Sequence, residues 1–153
     1  MTPEFVEFLL EAKARTYAAT GDDAAVQSVL PGAKQFEHHR GEYVYRDIYF
    51  GVRHFVGQET VHCAGRPEWS MAYGGGVVRS DVDTGAVYSF LREALRRASP
   101  EQPCRGPWTY DRFPFAYACR TTGDINMFWG VEEIADSSGV VYRLRFEGGR
   151  VGE

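Results

Sequence analysis

The sequence predicts an α+β fold in which one unit, a helix followed by antiparallel strands, occurs twice. Helical patterns open both halves, aromatic and β-branched stretches follow each helix, and these stretches recur at a fixed spacing. The 153 residues, 44% hydrophobic and 25% charged, suffice for one soluble core but not for two ordinary domains. We therefore expect a single domain, 1–153, built of two repeats (about 1–82 and 83–153). A curved sheet would pack on two helices, with a pseudo-two-fold axis between the repeats.

The first helix is predicted to begin at Thr2 and Pro3, a good N-cap and first-turn pair. Its apolar residues fall at i, i+3, i+4 and i+7, which makes one stripe suited to packing on a sheet. A second helix follows Asp83 and Thr84, either of which can cap it. Five pairs match between the helices at the separation of Phe8 and Phe90, 82 residues: Phe5, Phe8, Leu9, Glu11 and Ala12 with Val87, Phe90, Leu91, Glu93 and Ala94.

Three aromatic and β-branched stretches, 43–49, 54–63 and 69–78, are predicted strands of the first repeat. Turn residues at 64–67 and 137–139 separate the last two strands of each repeat. The strand residues repeat at the separation of Phe55 and Phe128, 73 residues: Phe55, Gly57, Glu59, Trp69, Met71 and Tyr73 match Phe128, Gly130, Glu132, Tyr142, Leu144 and Phe146. Alternation places these large apolar residues on one face of the sheet, which we expect to be buried against the helices.

Four segments of the chain carry a family resemblance: FLLEAK, YRDIYFG, FVGQE and WSMAYGGGV. Together they resemble a bacterial family of domains of unknown function, whose members occur alone or C-terminal to an XRE-type helix-turn-helix DNA-binding domain. The resemblance implies a sensory or ligand-binding role and assigns no catalytic residue. Because the first helix starts within a few residues of Met1, we expect no helix-turn-helix in this chain and a separate partner for any regulatory output.

Composition argues against several classes of partner. A net charge of −4 and a pI near 5.6 repel a phosphate backbone, so no nucleic acid is expected, and the basic cluster Arg92, Arg96 and Arg97 is interpreted as a solvated helix face. Acidic residues interrupt the first apolar run, so neither secretion by a signal peptide nor a membrane partner is expected. The three cysteines lack CxxC spacing, which predicts reduced thiols and a cytoplasmic location: Cys63, Cys104 and Cys119.

Glu59 is the most suggestive polar residue. Strand alternation places it beside Phe55, Gly57 and Val61 on the apolar face, and Glu132 has the equivalent place in the second repeat. A carboxylate there is either paired with Arg or Tyr, or held neutral and available as an acid or base. Both interpretations remain open from the sequence.

Asp47 shares a strand face with several tyrosines, which suggests a pocket lined by phenols and carboxylates. The catalytic candidates are Glu59 and Asp47. The predicted ligand-binding residues are Tyr43, Tyr45, Asp47, Glu59, Trp69, Tyr73 and Glu132. The competing interpretation is that this aromatic stripe is plain core.

No metal and no cofactor is predicted. Adjacent His38 and His39 project to opposite faces of a strand, and His54 and His62 lie eight residues apart, so neither pair suits one ion. The glycine run 74–76 lacks the Lys-Ser/Thr pair of a phosphate loop and is interpreted as a flexible or bulged strand end.

The function favoured by these patterns is a small-molecule-binding or sensing domain whose aromatic pocket lies between the sheet and the helices. The alternative is a cofactor-independent enzyme of the isomerase or cyclase type, in which Glu59 or Asp47 moves a proton. A protein-interaction domain is a third hypothesis.

Overall fold

The computed structural model describes residues 1–21 and 25–152, which form an α+β fold. Three described helices are α1 (Pro3–Arg15), the short α2 (Tyr17–Thr20) and α3 (Thr84–Leu95). The described strands form one antiparallel sheet and are β1 (Lys34–Arg40), β2 (Tyr43–Gly51), β3 (His54–Cys63), β4 (Arg66–Val77), β5 (Thr109–Arg112), β6 (Phe115–Asp124), β7 (Met127–Asp136) and β8 (Gly139–Arg150).

Side-chain caps fix where the two long helices begin. The Thr2 hydroxyl accepts a hydrogen bond from the Phe5 amide at 3.2 Å, and the Asp83 carboxylate accepts one from the Gly85 amide at 2.9 Å. Each cap satisfies a backbone donor that has no partner within the helix. None of the helices in the described part of the chain has the length and hydropathy needed to cross a bilayer.

The sheet has the strand order β1-β2-β3-β4-β8-β7-β6-β5. Helix α1 precedes the first four strands along the chain and α3 precedes the last four. The last strands of the two groups, β4 and β8, pair in the middle of the sheet, where Tyr73 lies opposite Phe146. The outermost strands are therefore β1 and β5.

One face of the sheet forms the core with both long helices. Helix α1 lies against β1 and β2, and α3 lies against β6. The predicted buried face is confirmed, since all six of its large residues are at most 8% exposed: Trp69, Met71, Tyr73, Tyr142, Leu144 and Phe146. They share one hydrophobic cluster with Phe8, Leu9, Phe90 and Leu91. The opposite face carries exposed apolar side chains such as Val56 and Trp129.

The glycine run 74–76 lies at the end of β4, as the sequence predicts, and it is paired with both neighbouring strands. Gly76 pairs with His54 of β3 and with Arg143 of β8. A Cβ on Gly75 would lie 2.2 Å from the Arg143 carbonyl oxygen. Gly75 is therefore required by the close approach of β8. The irregularities that do occur in strand register lie at Val61/His62 and Ile134/Ala135.

Candidate functional site

A cavity of about 150 Å³ lies between the sheet and the helices α2 and α3. Its walls include five aromatic side chains: Tyr17, Tyr49, Phe55, Tyr73 and Tyr88. Asp47 and Arg105, both nearly buried, also line it, and they line a neighbouring cavity of about 40 Å³ as well. The smaller cavity adds Lys13, Tyr45 and Glu59. The two cavities thus meet at an acid and a guanidinium.

Asp47 lies on β2, directly opposite Glu59 of β3. The Tyr73 hydroxyl donates a hydrogen bond to its Oδ1 at 2.6 Å. Within the described residues, its other oxygen, Oδ2, accepts no hydrogen bond, and the residue borders the cavity. Burial and the negative charge of Glu59 raise the pKa of Asp47 to about 7, although the Tyr73 hydrogen bond and the positive charges of Lys13 and Arg105 act in the opposite direction. Asp47 can therefore exchange a proton near neutral pH.

Arg105 lies in the segment between α3 and β5 and joins two carboxylates. Its Nη2 donates to Oε1 of Glu132 at 2.9 Å and its Nε donates to Oε2 at 3.3 Å. Its Nη1 lies 3.7 Å from Oε1 of Glu59. Burial opposes a charge on this guanidinium, but the charge and hydrogen bonds of Glu132, together with Tyr142 and Glu59, outweigh burial, and the pKa of Arg105 is raised well above its ordinary value. The guanidinium is a fixed positive charge beneath the cavity.

Glu59 is 2% exposed and forms an ion pair with Lys13 of α1. Its other oxygen faces Arg105. Burial, followed by the charge of Glu59, raises the pKa of the adjacent Tyr45 well above its ordinary value, so this phenol stays protonated. Of the two possibilities considered for Glu59, the structure contains the paired arrangement, with a lysine and an arginine.

Glu132 has no exposed surface and is surrounded by hydrogen-bond donors. Besides Arg105, the Tyr117 hydroxyl donates to its Oε2 at 2.7 Å and the Tyr142 hydroxyl to its Oε1 at 2.9 Å. Tyr117 in turn accepts a hydrogen bond from the amide of Gly106 at 3.2 Å. This closed network anchors the segment that carries Arg105.

Two equivalent glycines make room for the aromatic side chains beside the acids. Gly57 pairs with Tyr73, and a Cβ on Gly57 would lie 2.4 Å from the Tyr73 hydroxyl oxygen. Gly130 pairs with Phe146, and a Cβ there would lie 2.3 Å from the Phe146 ring. Because real Cβ atoms do not approach other atoms so closely, these positions require glycine. In the first half, the space allows Tyr73 to cross β3 and reach Asp47.

The structure divides the residues predicted from the sequence into three groups. Asp47 and Tyr73 line the larger cavity, and Tyr45 and Glu59 line the smaller one. Tyr43, Trp69 and Glu132 lie outside both linings: Tyr43 stacks on Phe8 at 5.0 Å, Trp69 stacks on Phe128 at 5.8 Å, and Glu132 is enclosed as described above.

Sequence reasoning missed several residues of the lining, among them Tyr17, Tyr88, Arg92 and Arg105. On α3, Tyr88 lies about one turn before Leu91, and Arg92 follows Leu91 directly. Helical spacing could therefore have placed all three residues on one face. Arg92 was interpreted as part of a solvated face, and that interpretation is wrong because its side chain is only partly exposed and borders the cavity. Arg105 lies outside any helix or strand, where no periodic pattern could have located it.

The histidines form separate polar contacts. His38 lies 3.2 Å from Glu11 of α1, and His39 lies 3.2 Å from Glu37 on its own strand. Within residues 1–21 and 25–152, no group of three or more His, Cys, Asp and Glu side chains is arranged to hold a metal ion.

The fold and the site define an α+β domain in which one sheet and two long helices enclose a buried charge cluster beneath an aromatic cavity. The family model described as Domain of unknown function (DUF5680) matches residues 47–151, and the chain belongs to this family. The match begins at Asp47 and includes Glu59, Arg105 and Glu132. Comparisons with curated proteins and with solved structures gave no match.

Proposed function

We propose that this domain binds a small molecule in the cavity bordered by Asp47 and Arg105. The observation that carries the proposal is the position of these two ionisable groups at an aromatic-walled cavity between the sheet and the helices. Ligand sites typically combine apolar and aromatic walls with a few polar groups that fix orientation. The volume of about 150 Å³ corresponds to a ligand of about the size of one aromatic ring.

Asp47 gives the site its versatility. Its pKa of about 7 means that both protonation states are populated at neutral pH, so the carboxyl group can accept or donate a hydrogen bond. The Tyr73 hydroxyl fixes one carboxyl oxygen and leaves Oδ2 toward the cavity. A ligand that binds here would complete the hydrogen bonding of Asp47.

An enzyme that moves a proton without a cofactor is the second candidate, favoured by the same carboxyl group. General acids and bases work best when their pKa lies near the working pH, which suits Asp47. Glu59 is a weaker candidate because Lys13 and Arg105 already engage its two oxygens. Turnover of a bound compound that is lost in Asp47→Asn would distinguish this enzyme from a binding domain.

Thermal melting with a metabolite library tests the binding proposal. The comparison uses wild type, Asp47→Asn and the matched control Asp111→Asn, which removes an exposed carboxylate from β5. We expect at least one compound to raise the melting temperature of wild type and of the control but not that of Asp47→Asn. Equal stabilisation of all three proteins would place binding elsewhere, and no stabilisation by any compound would contradict the proposal.

We also propose that the domain consists of two repeats, 1–82 and 83–153, derived from a duplication and related by a pseudo-two-fold axis between β4 and β8. The 73-residue spacing and the strand order, which places equivalent strands at equal distances from the centre, support this. A sensing role in the cytoplasm fits the resemblance to domains that follow XRE-type regulators and the free state of the cysteines.

A further inference from the structure

We infer that the ligand is a small aromatic acid: one ring with an anionic group that pairs with Arg92 and a hydrogen-bonding substituent that meets Asp47. This inference rests on the proposed function and names the class of compound that the same cavity would take.

The charges around the cavity favour an anion. Two arginines, Arg92 and Arg105, line the cavity together with the carboxyl group of Asp47. The charge of Arg105 is matched by the carboxylates of Glu132 and Glu59. Arg92 is therefore the cation of the lining whose charge an anionic group of the ligand would meet.

Arg92 is the cation best placed to meet the ligand's anionic group. Its guanidinium carbon lies 6.0 Å from the centre of the Tyr17 ring, and it forms no ion pair with a carboxylate of residues 1–21 or 25–152. It is partly exposed, and it borders the cavity together with Val52, which is 69% exposed. A planar guanidinium binds a carboxylate through two parallel hydrogen bonds. Arg92 is thus positioned to bind an anion at the cavity mouth.

The buried end of the cavity has a different polarity. Asp47 is 6% exposed, and Tyr73, which holds its Oδ1, is 8% exposed. The lining also includes apolar and aromatic side chains such as Phe55 and Leu91. A ligand that combines an aromatic ring with one anionic group and one hydroxyl or carbonyl group would match these three kinds of lining group.

Calorimetric titration with four single-ring probes at pH 7.5 tests the inference: benzoate, 4-hydroxybenzoate, the neutral 4-hydroxybenzamide and the cation benzylamine. We expect 4-hydroxybenzoate to bind tightest, 4-hydroxybenzamide about tenfold or more weakly because the charge is lost, and benzylamine weakest. Benzoate, which lacks the hydroxyl that meets Asp47, should bind several-fold more weakly than 4-hydroxybenzoate. Benzoate binding as tightly as 4-hydroxybenzoate would overturn the assigned contact with Asp47.

Three variants locate the contact with the anion. Arg92→Gln should weaken 4-hydroxybenzoate about tenfold or more and leave the neutral amide unchanged, and Arg92→Lys should restore part of the lost affinity. Arg145→Gln, which removes one positive charge from an exposed position on β8, should change neither probe and controls for net charge. Wild-type-like binding of 4-hydroxybenzoate by Arg92→Gln would overturn the assignment of Arg92.

The outcomes also separate this inference from the proposed function. If the amide or the amine binds as tightly as the acid, and Asp47→Asn abolishes that binding, the cavity is a ligand site and the aromatic-acid inference fails. If none of the four probes binds to wild type, the aromatic-acid inference fails, and the metabolite-library experiment alone decides the proposed function.

Discussion

Glu59 and Glu132 occupy equivalent places in the two halves of the sheet, yet their surroundings differ. Glu132 has no exposed surface and accepts hydrogen bonds from Arg105, Tyr117 and Tyr142. Glu59 pairs with Lys13 and borders a small cavity. Both halves have the same local pattern: an aromatic residue, a glycine two positions later and a glutamate two positions after that. This pattern therefore yields a closed network in one half and an open one in the other.

The residues across the strands explain the difference. Asp47 lies opposite Glu59, whereas Cys119 lies opposite Glu132. Burial raises the pKa of Cys119 to about 11, so its thiol is neutral at pH 7 and adds no second negative charge. Of these two pairs, only the one in the first half therefore places two acids side by side. One of these acids, Asp47, is the titratable group that lines the cavity. The second half has a thiol in this place and lacks the second acid.

The largest expected effect comes from removing the charge of the closed network. Glu132→Gln should lower the free energy of unfolding by about 3–5 kcal/mol, because the buried Arg105 loses its principal partner. Glu59→Gln should cost less, about 1–3 kcal/mol, since Lys13 has an exposed fraction of 11% and lies nearer to solvent. Urea unfolding of both variants measures the difference. A larger loss for Glu59→Gln would reverse the comparison.

A smaller effect is expected from the two glycines. Gly57→Ala and Gly130→Ala should each lower the free energy of unfolding by about 1–3 kcal/mol, because the new methyl group displaces Tyr73 or Phe146. Only Gly57→Ala should also break the Tyr73–Asp47 hydrogen bond and raise the pKa of Asp47 further. Carboxyl NMR titration of both variants tests this, and an unchanged Asp47 titration in Gly57→Ala would contradict the role assigned to Tyr73.

Asp47 should also make the stability depend on pH, with a slope of at most about 1.4 kcal/mol for each pH unit. Its pKa is raised from 3.8 to about 7 in the folded protein, so between these values the folded state binds more protons than the unfolded state. Stability from this group should therefore fall as pH rises from about 4 to about 7, and remain level above. The difference in unfolding free energy between wild type and Asp47→Asn, measured across that range, should decrease accordingly. A difference that is constant with pH would contradict the raised pKa.

Part of the site could be predicted from strand alternation. It placed Asp47 and Glu59 on the buried face with Tyr45 and Tyr73, because a strand turns every second side chain to the same side. It also placed Trp69 with them, but alternation cannot separate core packing from a cavity wall. Trp69 stacks on Phe128 because β4 and β7 both border β8, an arrangement set by strand order.

The sequence by itself determined the two long helices, their caps and the buried face, since local hydrogen bonding and side-chain periodicity act over a few residues. The tertiary structure alone decided which charges meet. Arg105 reaches Glu59 from 46 positions away along the chain and Glu132 from 27. No local pattern encodes those distances, because they depend on how the segment after α3 crosses the sheet. The ionisation of Asp47 depends in turn on that crossing, through the burial and the charges it brings together.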